Sequence, residues 1–532
     1  MIGVRDCGGM VAAPHHLAAE AGRDALRRGG NALDAAVAAA ATIAVVYPHM
    51  NSIGGDSFWL IYDADRGRLK ALNAAGRSAG AATLETYRAR FGDTMPVRGG
   101  PAALMVPGTV AGWDETHRYS REHMASPLSF AELLAPAIEH AREGFAPSAS
   151  QRRVTADAGA LFASDAAPEV RATFWPLFHP DRLRAPRFVQ RDLATTLERI
   201  AEGGADELYR GTLAKRLAAG ATATGSPLTF EDLAAHRAQW CEPLRVPYRG
   251  GEAASFPPPT QGFAALAILA LLEGFDVAAL DDVERIHLTV EATKLAFEDR
   301  DRYLADPAFA PVPVGRCLDP ARLADRRRRI SARAAPVAPG PTSAGDTVAI
   351  VTADARGNAV SVIQSTYHEF GAAVVAGDTG ILLQNRGAFF SLDPAHPNRL
   401  APRKQTAHTL IPSMYLLNGR PRFVYGTMGG EGQPQTQAAL VTHLVDQALG
   451  PQAAVDAPRW LYGRTWGEET RSLRLEGRFG AAVRDALRGR GHDAHLVDDW
   501  SDLMGHAQVI AIDDDGLRGA SDPRADGAAL GW

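Results

Sequence analysis

Thr347 is the residue on which chemistry could turn. It follows a run rich in Ala, Pro, Gly and Ser, residues 332–345, and it opens a segment that reads as a strand, residues 347–351. A tight turn, Asp354-Ala355-Arg356-Gly357-Asn358, and a second strand, residues 359–365, complete a β-hairpin. A small hydroxyl residue placed after a linker and at the head of a hairpin can become a new N-terminus. Breaking the Asp346–Thr347 bond would give Thr347 both a hydroxyl nucleophile and a free α-amine to act as its general base. Taken alone, the same residue is an ordinary β-branched strand former.

Other residues could serve such a nucleophile. Gly426-Thr427-Met428-Gly429-Gly430-Glu431-Gly432-Gln433 lies between a strand and a helix that starts near Thr436. It is either a glycine turn or a set of backbone N–H donors for an anion. No Lys-Ser/Thr pair follows, which speaks against a phosphate loop. Arg77, in the loop Ala75-Gly76-Arg77-Ser78, could hold a carboxylate or be solvated. Gln384-Asn385-Arg386-Gly387 is a polar turn. His15-His16 and His408 are the candidates for a metal hydrolase, but adjacent histidines lack useful ligand geometry. No metal ion or cofactor is expected.

The elements that position these residues follow from periodicity and punctuation. Residues 16–28 read as a helix ended by Gly29-Gly30, and Asn31 caps an alanine-rich helix over 32–46. Asn51-Ser52-Ile53-Gly54-Gly55-Asp56 is a glycine turn feeding a strand hairpin over 57–73. An apolar helix is expected at 263–274 and a longer helix at 282–304, and strands at 370–375, 380–383, 414–417, 423–425 and 509–512. The Arg326–Arg329 run reads as a solvated face.

The chain has 532 residues, 46% hydrophobic and 22% charged, with a formal net charge of −5. That composition builds large cores and gives no reason to expect nucleic acid or an anionic membrane as partner. Its three cysteines, Cys7, Cys241 and Cys317, are far apart and suggest no disulfide framework. The longest apolar runs are too short to span a bilayer, and residues 1–13 lack the pattern of a signal peptide. A cytoplasmic protein is expected.

Set in order along the chain, several motifs resemble the γ-glutamyltranspeptidase family of N-terminal nucleophile hydrolases. They are Gly29-Gly30-Asn31-Ala32-Leu33-Asp34-Ala35-Ala36, Gly54-Gly55, Val106-Pro107-Gly108-Thr109-Val110-Ala111-Gly112 and Pro257-Pro258-Pro259-Thr260-Gln261-Gly262. Asp346-Thr347, Val375-Ala376-Gly377, Gly429-Gly430 and Gly519-Ala520-Ser521-Asp522-Pro523-Arg524 continue the series. The resemblance implies an α+β fold, a four-layer αββα sandwich. It implies a precursor that cuts itself before Thr347 into a large subunit, 1–346, and a small catalytic one, 347–532. The two would interlace as one intertwined domain, a processed heterodimer that could pair further into a dimer.

The same resemblance assigns roles residue by residue. Thr347 matches the nucleophile, and Ser365 falls where a second Thr hydroxyl holds the nucleophile's amine. Gly429 and Gly430 match the oxyanion-hole pair. The substrate pocket departs from the γ-glutamyl pattern. Phe389 stands at the position of an Asp and Tyr367 at that of an Asn, the two that hold an α-ammonium. Arg386 replaces a Gln, His408-Thr409 replaces a Ser pair, and Arg77 lies two residues beyond the usual Arg position. The pocket has lost an anion and gained a cation, which suits a small anionic amide and resembles the oxamate amidohydrolase branch. A γ-glutamyltransferase or glutathione hydrolase, a cephalosporin acylase-like amidase, and an uncleaved scaffold with a decayed site are the alternatives.

Overall fold

The computed structural model describes residues 4–6, 8–165, 167–336, 346–463 and 470–532. Residues 337–345 of the run before Thr347 lie outside the described residues, as does Cys7.

Alternating apolar positions build the strands. In chain order they are β1 (Val4–Asp6), β2 (Gly9–Ala13), β3 (Asp56–Asp63), β4 (Arg68–Asn73), β5 (Gln239–Cys241), β6 (Leu244–Tyr248) and β7 (Gly251–Ser255). Beyond residue 345 come β8 (Asp346–Asp354), β9 (Ala359–Tyr367), β10 (Ser413–Leu417) and β11 (Arg420–Thr427). The last are β12 (Trp460–Tyr462), β13 (Leu473–Glu476), β14 (Ala494–Val497), β15 (Ala507–Asp513), β16 (Gly516–Ser521) and β17 (Ala528–Gly531). One antiparallel sheet runs β1-β16-β15-β11-β10-β7-β6 and a second runs β17-β2-β8-β9-β3-β4-β5, while β12, β13 and β14 form a small sheet apart.

The period of two assigns each residue to a layer. Ala349, Val351 and Ala353 of β8, Phe58 and Leu60 of β3, Val424 of β11 and Ile510 of β15 share one core between the two sheets. The intervening residues Val348, Ile350, Trp59 and Ile61 face a helical layer containing α1 (His16–Arg27) and α2 (Ala32–Val46). On the far side Phe423, Tyr425, Val509 and Ala511 pack under the helices Gly262–Leu272, Asp282–Tyr303 and Gln433–Val441. The result is the four-layer αββα sandwich expected from the sequence. Helix α2 is buried on every side, as its run of alanines requires, and Asn31 and Asp34 close a capping box at its start.

Strands from before and after Thr347 are neighbours in both sheets: β2 pairs with β8, β3 with β9, β7 with β10 and β1 with β16. Residues 370–375 and 380–383, expected as strands, form turns joined by isolated bridges such as Val375↔Leu382. Phe370, Gly371, Ala373 and Gly380 all have positive φ, which interrupts a ladder. The Arg326–Arg329 run is not wholly solvated either. Arg326 is buried against Asp299 and Glu298, and Arg327 donates to the carbonyls of Ala270 and Leu271.

Candidate active site

Three strand ends meet at one end of the space between the sheets. Asp56 opens β3, and Ser365 is its cross-strand partner in β9. Thr347 is the second residue of β8, where the ladder with β9 slips by one residue, from Asp346↔Tyr367 to Val348↔Gln364. Asp56 lies two residues before Phe58, Ser365 two beyond Ile363, and Thr347 two before Ala349, all of them inter-sheet residues. The alternation therefore turns Asp56, Ser365 and Thr347 toward the opposite sheet. All three are buried. The Thr347 hydroxyl has no hydrogen-bond partner among the described residues. Ser365 Oγ accepts from the backbone N–H of Tyr367 at 2.8 Å.

Gly429 and Gly430 follow β11, the strand of the opposite sheet that packs on β8 and β9. The Ser361 hydroxyl donates across the gap to the Tyr425 carbonyl at 2.8 Å and fixes β11 against β9. The glycines have φ of +127° and +51°, which explains their type. Gln261 holds this loop: its Nε2 donates to the carbonyls of Gly430 at 2.9 Å and Thr409 at 3.1 Å. The stretch Pro257–Gly262, noticed in the sequence only as a motif, thus ties the glycine loop to the segment carrying His408 and Thr409.

Arg386 starts a single 3-10 turn, Arg386–Phe389, and is buried. One amino group, Nη1, donates to Thr409 Oγ1 at 3.1 Å, and the guanidinium lies 4.0 Å over the Tyr367 ring. Nε and Nη2, the two donors of one edge of the fork, have no partner among the described residues. Burial lowers its pKa to about 10. The acids that could have neutralised it structurally are engaged elsewhere: Glu369 pairs with Arg98 and Asp378 with Arg216. Tyr367 holds its ring there from a strained backbone, φ +86°, and the Phe389 ring meets it edge-on at 5.8 Å. Tyr367, His368, Phe389, Gln261, Arg300 and Glu431 line a cavity of about 480 Å3.

Asp56 is the acid nearest to this cation in influence, and the sequence reading passed over it. Its Oδ1 accepts from Gly76 N at 2.8 Å and from Gln384 Nε2 at 2.9 Å, and its Oδ2 lies 3.2 Å from His408 Nε2. Because His408 Nδ1 accepts from Leu410 N at 3.4 Å, the network assigns the ring proton to Nε2, which donates to Asp56. Burial, opposed by these bonds and by Arg386, pushes the Asp56 carboxyl up to about 7. Burial and Arg386 hold His408 well below the usual histidine range, so the ring is neutral. The signal for Asp56 was a carboxylate at the head of an otherwise apolar strand, Ser57-Phe58-Trp59-Leu60-Ile61.

Arg77 is placed apart from this cluster. It pairs with Asp306 at 3.1 Å and lines a separate cavity of about 170 Å3 with Arg237 and Arg403. His15 caps α1 through its Nδ1 and stacks on His16. Among the described residues, the grouping with ligand-like spacing is instead His287, Glu291 and His492. There His287 bonds His492, and Glu291 pairs with Lys294. No helix among the described residues is long and apolar enough to cross a membrane.

Known proteins resemble this chain over nearly its whole length. The family model described as Gamma-glutamyltranspeptidase matches residues 18–532. The chain belongs to the gamma-glutamyltranspeptidase family. It is 46% identical over 530 residues to the glutathione hydrolase-like YwrD proenzyme of Bacillus subtilis, covering 98% of each. It is 47% identical over 525 residues to the oxamate amidohydrolase proenzyme of Klebsiella pneumoniae, again covering 98% of each. The crystal structure of a cephalosporin acylase from Bacillus halodurans superposes with a TM-score of 0.92 at 37% identity, covering 100% of this chain and 97% of that one. The protein is accordingly an N-terminal nucleophile hydrolase of the γ-glutamyltransferase kind, an amidohydrolase by family.

Proposed function

We propose that this family member hydrolyses a small anionic amide of the oxamate kind through an acyl-Thr347 intermediate. The observation that carries this reading is the free Nε–Nη2 edge of buried Arg386. Two parallel N–H donors, desolvated and with no acid in hydrogen-bond contact among the described residues, match a planar carboxylate. An α-ammonium would meet the aromatic rings of Tyr367 and Phe389 and the charge of Arg386. The 47% identity to a protein named oxamate amidohydrolase supports the same choice.

Chemistry follows from the groups in place. In the precursor Thr347 Oγ attacks the Asp346 carbonyl carbon, the amide becomes an ester, and water releases the large subunit with a new carboxylate on Asp346. The freed α-amine, held by the Ser365 hydroxyl, then takes the Thr347 hydroxyl proton as Oγ attacks the substrate amide. The N–H groups of Gly429 and Gly430 stabilise the oxyanion, a donor pair of the kind worth about 3 kcal/mol per member. The amine returns the proton to the leaving nitrogen, ammonia departs, and water hydrolyses the ester. His408, Thr409 and Phe389 shape the pocket around Arg386 and Tyr367. The two subunits stay together as a heterodimer.

Processed protein should be offered oxamate and a γ-glutamyl anilide in parallel, with and without glycylglycine. Oxamate turnover that exceeds γ-glutamyl turnover and ignores glycylglycine is the expected result. A preference for the γ-glutamyl substrate, or a large acceleration by glycylglycine with a transpeptidation product, would refute the pocket assignment.

A further inference from the structure

Asp56 is a buried carboxylate that the steps of hydrolysis leave unused. Its place is nonetheless close to the chemistry: it is the cross-strand partner of Ser365 and is hydrogen-bonded to His408. The groups facing it are few. Gly76 N, Gln384 Nε2 and His408 Nε2 donate to it, and Gly108 N, which donates to the Gly55 carbonyl, lies close enough to favour its charged form too. Arg386 is the cation that acts on it, and Tyr209 is a buried phenol within its influence. Tyr209 is itself engaged, donating to the Pro107 carbonyl and accepting from Ala111 N.

A substrate carboxylate on the Arg386 fork would place a second anion beside the same guanidinium. Two carboxylates and one cation in a desolvated site leave one charge uncompensated, which is costly. Sites with two close carboxylates resolve this by holding one proton between them. Oδ1 of Asp56 already accepts two hydrogen bonds, whereas Oδ2 accepts one, from His408. The open position of Oδ2 can hold a proton and donate it to the incoming carboxylate.

We propose that Asp56 determines specificity by proton exchange: when a small anionic amide seats on Arg386, Asp56 takes one proton from solvent, and the substrate replaces it as the counter-charge of the arginine. The inference rests on the substrate class proposed above. No covalent bond changes in this step, and the proton returns to solvent when the product anion leaves. A pocket so built accepts a monoanion by becoming neutral at Asp56 and has no second proton to offer a dianion.

The sign of the pH dependence follows. With the free carboxyl at about 7, Asp56 is protonated below that value and binding needs no proton uptake. Above it the carboxyl must be reprotonated, so KM climbs by up to about tenfold per pH unit until the pKa of the complex is reached. A free α-amine ordinarily titrates at about 7.7–8.0, and the Thr347 amine acts on kcat. It is present in any variant of Asp56, so the difference in KM between the two forms isolates the carboxyl.

The experiment is the pH profile, from 6 to 9, of kcat and KM for oxamate with processed wild type and Asp56→Asn. Asparagine keeps an oxygen for Gly76 and Gln384 and removes the titration. Wild-type KM should climb above neutrality, while the variant's KM stays flat and their kcat profiles run parallel. The same climb in Asp56→Asn, or a flat wild-type KM, overturns the proposal. Should Asp56→Asn fail to fold or to cut itself, wild type supplies the answer. Its binding of pyruvate, which carries a methyl in place of the oxamate amino group, is measured by calorimetry at pH 8 in buffers of different ionisation enthalpy. Uptake of close to one proton is expected, and none would refute the exchange. Oxamate hydrolysis without proton linkage sinks this inference alone, whereas no oxamate hydrolysis beside γ-glutamyl turnover sinks the substrate class with it.

Discussion

In the proposed function, Arg386 is the residue on which substrate choice depends. A buried guanidinium with two idle donors destabilises the fold unless something else uses it, because burying a charge without a partner is costly. The acids at Glu369 and Asp378 serve Arg98 and Arg216, and Asp56 acts on Arg386 only from a distance, without a direct ion pair, so no structural contact uses the idle edge of the fork. Arg386→Met should therefore leave self-cleavage intact and the Tm unchanged or raised. Its kcat/KM for oxamate should fall by roughly a hundredfold or more, the loss expected when a buried charge pair loses one member. Melting curves, a denaturing gel and initial rates on one preparation decide it. A variant that hydrolyses oxamate as well as wild type would remove Arg386 from the site.

At the scale of elements, the site exists because a hairpin, a strand end and a glycine loop converge on one end of the sandwich. The loop is the most exacting of these. Gly429 has φ +127°, a backbone conformation that residues with a side chain rarely adopt, so a side chain there strains the loop proposed to supply the oxyanion donors even though its Cβ would meet the Gly505 Cα only at an ordinary 3.4 Å. Gly429→Ala should lower kcat by about a hundredfold to a thousandfold with a smaller change in KM, as loss of an oxyanion donor does. A drop confined to KM would place the loop in binding instead. Sequence made the hairpin and the loop legible, since Thr347 to Ser365 alternates with a period of two around a Gly turn and Gly429-Gly430 punctuates a strand-to-helix passage. It misread residues 370–383, where apolar runs suggested strands but positive φ at Phe370, Gly371 and Ala373 folds them into turns. It also missed Asp56, Gln261 and Gln384. Their roles come from partners 20 to 352 positions away in the chain, Gly76, Gly430 and His408 among them, which no local pattern displays.

For the whole molecule, the position of the proposed cut matters more than its chemistry. Both seven-stranded sheets are woven from both sides of residue 346. The hairpin β8–β9 is flanked by β2 and β3 from the first segment, while β10 is paired to β7 and β16 to β1. Further ties bind the segments in the core: the Thr352 hydroxyl donates to the Ala32 carbonyl at 2.7 Å, and Ala32 N donates to Asp354 Oδ2 at 3.0 Å. Breaking one peptide bond at the start of β8 leaves those ladders and the inter-sheet core standing, and separating the pieces would expose both. Purified protein should therefore run as two bands on a denaturing gel, yet elute natively as a single species containing both fragments. Thr347→Ala, which lacks the attacking hydroxyl, should give one uncut band, no activity and the same native elution volume. Fragments that part on dilution without denaturant would contradict the interlaced architecture, and cutting in Thr347→Ala would show that the hydroxyl is not what breaks the chain. Unaltered elution together with two wild-type bands would show that maturation frees the Thr347 amine inside a scaffold already folded around it.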